Sequence, residues 1–97
     1  MFDLNLKDKV ILITGGSDGL GFASAKLLSG QGAKVVICGR RGGYLKEKAQ
    51  IIREETKNEI LDIECDVTNV DQCKNLVEKT ISKFRNIDVL VNNAGAS

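Results

Sequence analysis

The passage that most constrains this chain runs from an unbroken apolar stretch, Val10-Ile11-Leu12-Ile13, into Thr14-Gly15-Gly16-Ser17-Asp18-Gly19-Leu20-Gly21. An apolar run without alternation predicts a strand covered on both faces, as in a parallel sheet. Glycine is costly inside either strand or helix because it loses the most backbone freedom on folding. A cluster at the seam between the two implies that the backbone itself must be approached closely there. The spacing after Gly19 is helical, so the approach is to a helix N-terminus, where unpaired N–H groups and the helix dipole favour an anion. Gly15, Gly19 and Gly21 suit a phosphate cradle. Ser17 adds a hydroxyl for a phosphate or for the turn, and Thr14 can tie the turn to neighbouring backbone.

The same alternation of patterns continues along the chain. Val35-Val36-Ile37-Cys38 and Val89-Leu90-Val91 are further buried-strand runs, whereas Leu61, Ile63 and Cys65 alternate with Asp62, Glu64 and Asp66. That alternation predicts an edge strand with one face to water. Between the strands lie helical stripes: Leu20, Ala23, Leu27 and Leu28; Leu45, Ala49 and Ile52; and, strongest, Val70, Cys73, Leu76, Val77, Ile81 and Phe84. Thr68 with Asp71 and Asn69 with Gln72 are spaced as capping pairs for the last helix. The element order is therefore βαβαβαβ, and right-handed crossovers make it half of a doubly wound parallel α/β sheet of strand order 3-2-1-4. Ligands in such sheets sit beyond the strand C-termini where the order reverses. Thr14 to Gly21 and Asn92 to Gly95 are thus expected to face one crevice.

Composition narrows the partners. With 97 residues there is one domain at most, and 14 Lys and Arg against 13 Asp and Glu give no field that would gather nucleic acid or an anionic membrane. Any anion site must be local. Cys38, Cys65 and Cys73 lack CxxC spacing and the chain has no histidine, so no zinc or other metal site is expected and three reduced, mostly buried thiols are. No stretch reaches the roughly 18 apolar residues of a membrane span, which leaves a cytoplasmic location as the expectation.

Three segments together carry a family resemblance. "TGGSDGLG" at 14 to 21, "CDVT" at 65 to 68 and "NNAG" at 92 to 95 resemble, in order and spacing, the cofactor loop, the adenine-contacting segment and the fourth-strand motif of the short-chain dehydrogenases/reductases. The resemblance implies a Rossmann-like fold, with residues 1–97 forming the N-terminal part of one dinucleotide-binding domain. It implies that Gly15, Gly19, Leu20 and Gly21 hold the pyrophosphate, Asp66 and Val67 the adenine, and Asn92, Asn93, Ala94 and Gly95 the ribose side, with Asn93 mainly bracing the sheet.

The end of the second strand bears on the choice of dinucleotide. An NAD site expects Asp or Glu there to hold the ribose 2′-hydroxyl, but this chain has Cys38-Gly39-Arg40-Arg41. Gly39 leaves room without negative charge, and Arg40 and Arg41 offer guanidinium forks suited to a 2′-phosphate, which favours NADP(H) over NAD(H). Asp18 is a countersignal, because an acid pointing into the phosphate loop repels that group. Tyr44-x-x-x-Lys48 matches the family's catalytic pattern in letters and in i, i+4 spacing, but it follows the second strand, on the adenosine side. No catalytic residue is assigned in this chain.

The expected parent is an oxidoreductase that moves hydride between NADP(H) and an alcohol or carbonyl, its small-molecule substrate bound by a C-terminal half, and assembled as a homo-oligomer. A non-catalytic nucleotide-binding or scaffold module is the alternative. The fourth strand, with Val10 to Ile13 beside it, is expected to need cover that residues 1–97 do not supply, so that the segment either is an excerpt or self-associates.

Overall fold

A computed structural model describes residues 5–93. Seven elements alternate along the chain: β1 (Val10–Thr14), α1 (Gly19–Gly30), β2 (Lys34–Gly39), α2 (Gly42–Thr56), β3 (Ile60–Glu64), α3 (Val70–Phe84) and β4 (Val89–Asn92). All strand pairings are parallel and the spatial order is β3-β2-β1-β4. The register aligns Ile13 with Ile37 and with Val91, so the loops after β1, β2 and β4 leave the sheet at one level. The order and the doubly wound arrangement are those expected from the sequence.

Unbroken apolar strands place alternate residues in two separate cores. Ile11, Ile13, Val35 and Ile37 face α1 and α2, where Ala25, Leu45, Ala49 and Ile52 meet them. Val10, Leu12, Val36 and Cys38 face α3 through Leu76 and Phe84. Every residue of β1 is buried, so the central strand has its cover within the described residues, contrary to the expectation for Val10 to Ile13. β4 is different: Val89 and Leu90 stay exposed, one on each face of the sheet's outer strand.

Helix α1 corrects the predicted stripe. Leu20, Ala23 and Leu27 point outward, Leu20 remaining 75% and Leu27 63% exposed, while Gly21, Ala25 and Ser29 form the buried face. Small residues at i, i+4 and i+8 let the helix axis approach the sheet, and Phe22 and Leu28 fill the flanks. Size complementarity has overridden the hydrophobic count. Similarly, the α3 stripe divides: Leu76 and Phe84 are buried, whereas Val70, Val77 and Ile81 are exposed. Thr80 takes the inner position between them because its hydroxyl donates to the Leu76 carbonyl at 2.8 Å, which satisfies it without water.

The edge strand β3 is also covered more fully than its alternation implied. Ile60 packs with the α1 and α2 core, and Ile63 and Cys65 with the α3 core. Asp62, expected in water, has a side chain only 17% exposed, with the Lys46 ammonium at 3.7 Å and Arg53 at 3.9 Å. The long stems of those α2 residues reach over the edge and neutralise the acid. At α3, Asn69 caps by accepting from the Gln72 N–H at 3.1 Å, but Thr68 does not pair with Asp71. Its backbone N–H and hydroxyl both donate to Asp66, at 3.0 and 2.7 Å.

If close approach of α1 depends on its small face, Ala25→Leu, at a residue with no exposed surface, should cost about 1–3 kcal/mol through overpacking. Urea unfolding of the intact protein checks this; a cost below about 0.5 kcal/mol, the range of ordinary surface substitutions, contradicts it.

Candidate functional site

The strand ends converge on a loop whose shape is set by backbone contacts. The N–H groups of Gly15 and Gly16 both donate to the Cys38 carbonyl, at 3.0 and 3.3 Å, tying the turn after β1 to the end of β2. Gly19 opens α1 with φ +48°, a left-handed conformation that L side chains adopt at a cost, and nothing stands within 4 Å of the space a Cβ would take. Gly21 is constrained in the opposite way: a Cβ there would run into the Gly15 carbonyl oxygen and lie 2.7 Å from the Asn93 side-chain amide. Asp18 stands at the N-cap of α1, yet its side chain makes no capping bond. The first-turn N–H groups of α1 are left without an acceptor from that side chain, the condition under which a helix N-terminus takes an anion.

The other side of the loop is braced by β4. The Asn93 backbone N–H donates to the Thr14 hydroxyl at 2.8 Å, that hydroxyl lies 3.0 Å from Asn92 Oδ1, and the Asn93 side-chain amide donates to the Gly15 carbonyl at 3.3 Å. Asn92 and Asn93 thus meet the phosphate-type loop directly. Ala94 and Gly95, also assigned to the site from sequence, lie outside the described residues.

On the opposite side of β1, an open cavity of about 700 Å³ spans three strand ends. Gly15, Ser17 and Asp18 come from the loop after β1; Cys38, Gly39, Arg40 and Arg41 from the end of β2; Cys65, Asp66, Val67 and Thr68 from the turn after β3. Its volume is that of a pocket for a drug-sized ligand. Of the residues picked out from sequence, Gly15, Ser17, Asp18, Arg40, Arg41, Asp66 and Val67 therefore share one wall system. Gly19, Leu20 and Gly21 do not line it: Gly19 and Leu20 open α1, and Gly21 packs against the Gly15 carbonyl. Sequence reading missed Thr68 as a lining residue. The signal was present in Asp66-Val67-Thr68, whose acid and hydroxyl two residues apart form a local turn.

Electrostatics at the cavity are set by a few groups. Asp66 is held below the usual carboxylate range, first by the Thr68 side chain, then by the Thr68 backbone N–H, with a smaller pull from the Arg40 guanidinium. It therefore stays ionised across the neutral range. Burial pushes the Cys38 thiol up to about 12, with Cys65 adding to the effect. Cys65 is raised by the same cause, with Cys73 next. These thiols are neutral apolar lining rather than nucleophiles, and none of the three forms a disulfide. No group of three or more His, Cys, Asp or Glu side chains among the described residues could hold a metal ion, and no described helix is long and apolar enough to cross a membrane.

Tyr44 and Lys48 sit at this same end of the sheet. The Tyr44 hydroxyl donates to Asp18 at 2.8 Å, and the Lys48 ammonium lies 5.2 Å from the Tyr44 ring centroid and 4.8 Å from that of Phe22.

Residues 9–97 match the short chain dehydrogenase family, and the chain belongs to it. It is 42% identical over 92 residues to an uncharacterized oxidoreductase of Staphylococcus saprophyticus, covering 95% of this chain and 39% of that protein. It is 40% identical over 95 residues to 11-beta-hydroxysteroid dehydrogenase 1A of Arabidopsis thaliana, covering 98% and 27%. Among solved structures it resembles L-sorbose reductase from Gluconobacter frateurii, in complex with NADPH and L-sorbose, with a TM-score of 0.90 and 35% identity over 94% of this chain and 35% of that one. The chain thus spans well under half the length of the proteins it matches.

The raised thiol has a consequence for stability. A folded pKa of about 12 against an ordinary 9.0 means that the Cys38 contribution is fully present below pH 9 and is lost as pH rises toward 12. Unfolding free energies of the intact protein measured up that range should fall, and Cys38→Ala should flatten this part of the decline; an unchanged slope in the variant contradicts the assignment.

Proposed function

We propose that this chain is the dinucleotide-binding segment of an oxidoreductase that transfers hydride between NADP(H) and an alcohol or carbonyl substrate. The observation that carries the reading is the end of β2, where Gly39, Arg40 and Arg41 line the cavity and no acid occupies the position that holds a ribose 2′-hydroxyl in NAD sites. Arg40 makes no ion pair with the described residues, so its donors remain open to a 2′-phosphate. The open face of Gly19 and the uncapped N-terminus of α1 fit a pyrophosphate. Val67, 40% exposed on the cavity wall, fits the flat apolar face of an adenine. Asn92 and Asn93, at the end of β4, fit the ribose at the nicotinamide end, and the family motif assigns Ala94 and Gly95 to the same role.

The cofactor supplies the hydride, and this chain supplies binding and orientation. Tyr44 and Lys48 lie on the adenosine side, so the group that handles the proton at the substrate comes from the remainder of the intact protein. The complex of L-sorbose reductase with NADPH supports the choice of cofactor class for a protein of the same fold. The substrate is a small molecule held outside residues 1–97, in a cytoplasmic homo-oligomer whose assembly sedimentation velocity can test.

Calorimetry on the intact protein tests the cofactor choice. Charge-assisted bonds to the 2′-phosphate should favour NADPH over NADH by about ten- to a hundredfold, and Arg40→Asp should erase most of that margin. Equal affinities in the wild type, or a margin that Arg40→Asp leaves intact, would overturn the reading. Residues 1–97 alone should show no oxidation of NADPH by a carbonyl substrate above background, since no catalytic proton donor is assigned among the described residues. Turnover above background by this segment would instead assign chemistry to it.

A further inference from the structure

Asp18 is the one acid in the glycine loop, and both of its carboxylate oxygens are engaged. Oδ2 accepts from Arg41 Nη2 at 3.1 Å and Oδ1 accepts from the Tyr44 hydroxyl at 2.8 Å. The Arg41 guanidinium also stacks on the Tyr44 ring, its central carbon 4.4 Å from the centroid. Three side chains from two elements thus form a closed cluster at the cavity mouth: Asp18 bonds Arg41 and Tyr44, and Arg41 lies on Tyr44. The carboxylate is turned to the start of α2 and not onto the N–H groups of α1, where it would compete with a phosphate.

Each contact is weak by itself. Asp18 and Arg41 are 60% and 69% exposed, and solvent-facing ion pairs and cation–π contacts hold little in isolation. Together they remove rotamer freedom from one guanidinium while using a single terminal nitrogen for the ion pair. An arginine has five N–H donors in a rigid fork, so donors remain for a second anion. Fixing the fork before the ligand arrives saves the ordering cost that a free arginine would incur on binding.

We propose that Asp18 and Tyr44 are positioning residues for Arg41, fixing its guanidinium across the cavity mouth so that it receives the 2′-phosphate of NADP(H). The proposal rests on the dinucleotide reading above and deepens it: preference for the phosphorylated cofactor belongs to the cluster and not to the arginines alone. It also gives the acid in the glycine loop a role that favours the 2′-phosphate. The opposite effect, repulsion of the phosphate by Asp18, is limited because both oxygens already accept bonds from the cluster.

Titration calorimetry of the intact protein with 2′,5′-ADP and with 5′-AMP separates these effects, since the two ligands differ only by the 2′-phosphate. The wild type should bind 2′,5′-ADP more tightly. In Asp18→Asn and in Tyr44→Phe, which keeps the ring and removes the hydroxyl, the ratio of the two affinities should fall about two- to fivefold, and further in Tyr44→Ala. A rise of the ratio in Asp18→Asn would show that the carboxylate competes with the phosphate and would overturn the proposal. Equal weakening of both ligands would reduce the cluster to a structural role and overturn it as well. A wild type that does not distinguish the two ligands would instead sink the NADP(H) reading on which the proposal stands.

Discussion

Helix α1 begins where it does because residue 21 has no side chain. Its Cα faces the Gly15 carbonyl and the Asn93 amide, and that packing brings the first turn of α1 onto the end of β1. Everything at the strand ends follows from this contact. The loop between Thr14 and Gly19 is short because the helix starts so close to the strand. The small face continues downward through Ala25 and Ser29, so close approach holds for the whole length of the helix. Leu20 and Leu27 are displaced to the outside as the geometric cost of that approach.

How far the sequence could be read depended on which physical signal each element used. Strand order and direction were legible because runs such as Val35 to Cys38 have only one use in a chain of this alternation, burial on both faces. Helix α2 was legible because the stripe of Leu45, Ala49 and Ile52 is also its buried face, with Ile51 beside it left exposed. Helix α1 was not, because a count of hydrophobic side chains assigns the face to the leucines, whereas the sheet selects the smallest residues. Within α3, Thr80 could enter the core only by satisfying its hydroxyl on Leu76 one turn earlier, a bond no spacing rule weighs. At β3, the alternation marked the edge position and the exposed Glu64, but not the cover of Asp62 by the Lys46 and Arg53 ends.

The site divides in the same manner. That Gly15, Arg40, Arg41 and the Asp66-Val67 segment gather at one cavity was legible because strand ends in a sheet of this order share one level. What sequence could not resolve was orientation. Asp18 could point into the loop or away from it, and only the positions of Arg41 and Tyr44, 23 and 26 residues further on, decide the matter. The lining thiols were likewise visible as residues but not as neighbours, since their proximity depends on how β2, β3 and α3 pack.

The bracing of the glycine loop by Asn93 has a kinetic side. The bond from the Asn93 backbone to the Thr14 hydroxyl joins residues 79 apart in the chain, and the amide bond to Gly15 joins residues 78 apart. Contacts of such separation carry the largest loop-closure cost and are late to form, whereas β1, α1 and β2 are connected within a few tens of residues. The loop's final shape therefore depends on the docking of β4 beside β1. On a nascent chain that exposes only β1 to β3, the glycines are present but the bonds from Asn93 to Thr14 and Gly15 are not, so the braced form of the loop appears only when β4 docks.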